Sequence, residues 1–130
     1  MKKIWIMAAL LIAGLTVKAQ DTRPTWKEMH DFHAIMSVTF HPSEENNLQP
    51  LRDSIQPLLA KAKAWKKSAV PEGYNGEVTK PILKRLVAEC EAIKEAVKNN
   101  KSDAELKTMI AKAHDTFHEI MEKCRAEKHE

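Results

Sequence analysis

Apolar side chains recur every three and four residues in four separate blocks of this chain, and that spacing leaves few folds open besides helices packed on one another. The first block reads Trp26, Met29, His33, Met36, Phe40; the second Leu51, Ile55, Leu58, Ala62, Trp65, Ala69. The third reads Leu83, Leu86, Cys90, Ile93, Val97, and the fourth Leu106, Ile110, Ala113, Phe117, Ile120, Cys124. Thr25 with Glu28, and Ser102 with Glu105, have the spacing of capping boxes that open the first and fourth helices. Pro42 is expected to stop the first helix, with a polar loop from Ser43 to Asn47, and Pro57 to bend the second or delay its start. The segment Val70-Pro71-Glu72-Gly73-Tyr74-Asn75-Gly76 is the strongest turn signal. No stretch alternates with the period of a strand. The expected fold is all-α, an up-down-up-down antiparallel four-helix bundle.

Residues 1–19 are set apart from this pattern. Lys2 and Lys3 precede an apolar run from Ile4 to Leu15, and Val17-Lys18-Ala19 supplies small residues around a cut. This is the layout of a secretory signal peptide, cleaved after Ala19, and the run is shorter than the ~20 apolar residues of a membrane span. The bundle domain is then 20–130, expected in a bacterial periplasm without stable membrane anchoring, since no lipid-attachment cysteine follows the cut. The formal charge of +3 belongs to the leader: without Lys2, Lys3 and Lys18, 18 basic residues face 18 acidic ones. No basic footprint for nucleic acid remains.

Histidine is the residue type that points to chemistry. Five of the six fall in two places: His30, His33 and His41 in the first helix, His114 and His118 in the fourth. Spacings of three and four put His30 with His33, and His114 with His118, on shared helix faces. In an up-down bundle the first and fourth helices are antiparallel neighbours. At 1.5 Å per residue His33 lies about 12 Å from its helix start and His118 roughly 13 Å from its helix end, so the two share a level. His30 then falls opposite Met121 and Glu122, and His114 opposite Ser37. Neutral imidazole is the commonest ligand for Zn- and Cu-type ions, and bundles build metal sites from facing helices. His30, His33, His114 and His118 are the candidate ligands, with Met121, Glu122 and Cys124 as further donors. The alternative is that His33 is a hydrogen-bonded core residue and the others line a flank. His41 reads as a favourable charge at a helix C-terminus, and His129 carries no expected role.

Cys90 and Cys124 differ by roughly 15 Å in depth along antiparallel helices, more than twice the ~7 Å reach of a disulfide, so no internal bridge is expected. A homodimer through an exposed Cys124 is the remaining oxidised alternative.

With its size, export and helix order, the chain resembles the cytochrome b562 and cytochrome c-prime type of exported bundle. That resemblance implies haem b held between a Met early in helix one and a His near the end of helix four. Met29, in WKEMHDFH, and His118, in HDTFHEIM, occupy the corresponding places. Covalent haem attachment is excluded because no Cys-x-x-Cys-His is present. His30, His33 and His114 have no counterpart in the family pattern; they point to a bare metal ion, or to a haem held by His33 and His118. A di-iron carboxylate centre lacks its paired Glu-x-x-His motifs, and no nucleophile with a base and an orienting partner is visible, so an enzyme is not expected. Three functions follow: a transition-metal binding module, a haem b electron carrier, or an interaction bundle without cofactor.

Overall fold

The computed structural model describes residues 25–124. The leader assigned to residues 1–19, its cut after Ala19, and His129 lie outside the described residues. Four helices run in sequence: α1 Lys27–Glu44, α2 Gln49–Lys67, α3 Gly76–Lys98 and α4 Asp103–Lys123. Each packs on its sequence neighbours and α4 returns to α1, so the described residues form a four-helix bundle. The α1–α4 seam is the most sparsely packed of the four. Among the described residues there is no strand, and no helix is long and apolar enough to cross a membrane.

The helix ends show why the chain turns where it does. Ser102 accepts from the Glu105 backbone N–H at 3.2 Å, capping α4 as its sequence predicts. Thr25 does not cap α1: the cap position is Trp26, which has no hydroxyl to offer and makes no side-chain cap hydrogen bond. Pro42 does not stop α1 either. The helix passes through it and ends two residues later at Glu44, ahead of Asn46 with φ 61°. Asn47 N–H bonds the Pro42 carbonyl at 2.9 Å and Asn46 N–H bonds that of Ser43 at 3.0 Å. That pair of bonds is a Schellman closure, with asparagine in the left-handed position that few other side chains tolerate. α3 ends in the same way at Asn100, with Lys101 N–H on the Ala96 carbonyl. α2 starts at Gln49 without delay and carries Pro57 on its exposed face, where the carbonyl of exposed Asp53, four residues back, loses its helical donor.

The α2, α3 and α4 stripes face inward as the spacing predicts, apart from exposed Ala69, beyond the end of α2, and half-buried Val97. In α1 the stripe is rotated. Phe32, not His33, is fully buried, and Thr39 and Ser43 continue the inward face. Phe32 lies 5.5 Å from Trp65 and 5.7 Å from Phe117, ring centroid to centroid, and Trp65 stands edge-on to Trp26. These rings fill the bundle centre. Backbone and side-chain ties close both ends. At one, Trp26 Nε1–H donates to Ser68 Oγ at 2.8 Å and Asn75 N–H to the Cys124 carbonyl at 2.7 Å. At the other, Arg52 of α2 reaches Asp103 of α4 at 2.7 Å.

Candidate metal centre

Rotation of α1 carries His33 out of the core and onto the edge that faces α4. Its ring stacks on Phe117 with centroids 5.1 Å apart and planes 6° from parallel. Two turns along, Phe40 of α1 stacks on His114 of α4 at 3.7 Å and 9°. Each helix thus contributes one phenylalanine and one histidine, and the two stacks cross the seam in opposite senses. The phenyl rings sit partly or wholly in the core and hold the imidazoles at its rim.

His114 faces Phe40, not Ser37; the side chain near Ser37 is His33, whose Nε2 is 3.3 Å from Ser37 Oγ within α1. His118 lies one turn from His114 on α4, beside Phe117. Its Nε2 is 3.2 Å from His114 Nε2, and its Nδ1 is 3.9 Å from Glu122 Oε1. Burial pushes the His114 imidazolium below its ordinary range, His118 and His41 push the same way, and Asp115 and Glu44 oppose. Burial likewise lowers His33, with His30, His118 and His41 adding to it. Both therefore favour the neutral, ligating form at neutral pH.

His41 belongs to this row. The sequence reading leaves it as a charge at a helix end, and it does contact Glu44 at 3.1 Å in the last turn of α1. Yet its charge is felt at both His33 and His114. The missed signal is its position next to Phe40, which turns inward on the same side. His30 is exposed at the opposite end of the row, close in charge to His33 and Asp31.

The remaining candidates fall elsewhere. Cys124 is buried with its carbonyl on Asn75 and its thiol near Thr79 of α3, and burial pushes that thiol up. It faces the core, so the exposed thiol needed for a Cys124-linked dimer is not there. Cys90 is buried as well, and both thiols are free. Met121 packs against the core. Glu122 stands behind His118, on the ring nitrogen facing away from His114. Met29 is buried with its Sδ 3.8 Å from the Tyr74 hydroxyl, while His118 lies on the half-exposed seam. Phe32, Trp65 and Phe117 occupy the interior at that level.

Among the described residues, no group of three or more His, Cys, Asp or Glu side chains stands ready to hold a metal ion. What the seam offers is a pair. Two nitrogens bound to one tetrahedral Zn²⁺ at about 2.0–2.1 Å each lie roughly 3.3 Å apart, and the His114–His118 separation of 3.2 Å matches that edge.

Set against known protein families, curated proteins and solved structures, the chain matches none of them.

Proposed function

We propose that this chain is an exported four-helix bundle that holds a transition metal ion of the Zn or Cu type on the α1–α4 seam. The observation that carries the reading is the 3.2 Å approach of the two Nε2 atoms of His114 and His118. At that separation the two nitrogens match one edge of a coordination tetrahedron, and a metal ion there would take the place of the proton that links them. His33 is the third ligand: its ring stacks on Phe117, the sequence neighbour of His118, and would turn to the metal by leaving Ser37 and that stack. With the metal on Nε2, the Nδ1–H of His118 points to the Glu122 carboxylate, the arrangement that fixes tautomer and ring orientation in many metal sites. Water completes the shell at this open edge.

The reading is tested by titrating the metal-free chain with Zn²⁺ and Cu²⁺ against a chromophoric chelator and counting bound ions by elemental analysis. One ion per chain is expected. His114→Ala and His118→Ala each remove it, and His33→Ala weakens it. Loss with His30→Ala or His41→Ala, and none with His114→Ala, would overturn the assignment. Absorbance in the Soret region after adding haem is the parallel readout for the cytochrome-type alternative.

A further inference from the structure

The seam diagonally opposite the histidines carries the chain's charge imbalance. Residues 25–124 hold fifteen basic and fifteen acidic residues, yet the stretch 54–88 alone has seven Lys and Arg against Glu72 and Glu77. That stretch is the second half of α2, the connecting loop and the first half of α3. Elsewhere lysines alternate with carboxylates, as in Glu91-Lys94-Glu95-Lys98, so their fields cancel. Here they do not.

Two adjoining grooves run along the α2–α3 seam. One, of about 470 Å³, is lined by Lys66, Lys80, Pro81 and Lys84. The next, of about 390 Å³, is lined by Lys63, Lys66, Lys67, Val87 and Glu91. Lys66 is common to both. The lysines stand on the rims at three- to four-residue intervals, roughly 5–6 Å along each axis; exposed Pro81 lies among them in the first groove, and Val87, buried against the core, closes the base of the second. Lys63 pairs with Glu91 at 3.6 Å, and Arg85 is drawn away to Glu89 and Glu119. Lys66, Lys67, Lys80 and Lys84 remain exposed along the grooves.

We infer that this face docks an extended acidic segment of a partner protein, one in which carboxylates alternate with apolar side chains. Charge complementarity sets the sign of the partner: clustered like charges on a neutral protein repel one another unless an anionic surface covers them. The grooves set its shape. A planar anionic lipid surface would meet the lysine tips and leave the base of the grooves open, whereas an extended chain lays every second side chain into them and the others toward the rims.

The test uses the full chain and a fluorescein-labelled peptide of alternating glutamate and leucine, followed by anisotropy at low and at physiological ionic strength. Binding is expected at low ionic strength and weakens with salt. Lys66→Glu with Lys84→Glu weakens it by about tenfold or more, and Lys66→Gln with Lys84→Gln by a smaller factor, the sites being exposed and the helicity unchanged. Lys98→Glu with Lys112→Glu changes net charge equally and shifts binding less than about twofold. Equal loss in both charge-reversed pairs would reduce the effect to net charge and overturn the site. So would no peptide binding at low ionic strength, or binding to phosphatidylglycerol vesicles without binding to the peptide.

Discussion

His118 Nε2 and His114 Nε2 lie 3.2 Å apart, one turn from each other on α4, with Phe40 pressed flat on the His114 ring. Two imidazolium ions do not tolerate that separation on a partly buried edge. Burial and the neighbouring His118 both lower the His114 pKa from its ordinary 6.5. The unfolded chain therefore binds more protons than the folded one once pH falls below about 6.5, and stability declines from there toward the lowered folded value, below which it levels. Thermal unfolding of the metal-free chain is expected to show a melting temperature that rises from pH 5 to pH 7 and then levels. His114→Asn flattens that rise. A melting temperature independent of pH across this window would contradict the geometry.

Metal and proton compete for the same lone pairs. Because His114 stays neutral to lower pH than a free imidazole, affinity for Zn²⁺ is expected to persist below pH 6.5 and then to fall as pH drops further. A saturating metal also raises the melting temperature by mass action, by an amount that vanishes on adding a chelator or in His118→Ala. Zinc competition titrations at stepped pH read the first effect, and paired thermal scans the second.

Phe32 and His33 are adjacent in sequence and opposite in consequence. Phe32 is fully buried between Trp65 and Phe117, so Phe32→Ala is expected to cost about 3–5 kcal/mol. His33→Ala, on the exposed edge, costs less than about 1 kcal/mol and acts on metal affinity instead. Urea unfolding of both variants decides the register of α1 directly.

That register is where the sequence misleads. In α4 the stripe from Leu106 to Cys124 is flanked largely by charged and polar residues, so only one face is eligible for the core. In α1, Phe32 and His33 both fit a three-four spacing. Trp26, His33 and Phe40 repeat every seven residues, and so do Phe32 with Thr39 and Met36 with Ser43, so periodicity alone does not choose between the two registers. Transfer free energy decides it, since burying a phenyl ring is favourable and burying an imidazole is not. The four helices follow from periodicity alone. Which histidines meet does not, because that depends on a rotation of α1 of less than one residue, and on where Phe40 and Phe117 find room to stack. His41 enters the row for the same reason.

Caps that look alike in sequence differ in the fold. Ser102 bonds the Glu105 N–H and Asn75 that of Glu77, whereas Thr25 precedes a cap position held by Trp26. Ser102→Ala and Asn75→Ala are each expected to cost about 1 kcal/mol, and Thr25→Ala close to nothing. Chemical denaturation of the three single variants compares them on one scale.

Cys90 and Cys124 face the core from α3 and α4, and neither thiol is in contact with the other. Burial pushes Cys90 up to about 12, and burial also raises Cys124. The thiolate is the reactive form, so both side chains are protected twice, by access and by protonation. In an oxidising compartment such protection keeps the chain free of disulfides without any reductant. A thiol-specific chromogenic disulfide is expected to label neither cysteine in the folded chain at pH 8 and both in denaturant, with a labelling rate set by global opening. Rapid labelling of Cys124 in the folded chain, or a disulfide-linked dimer on non-reducing gels, would show that its terminal turn opens independently of the core.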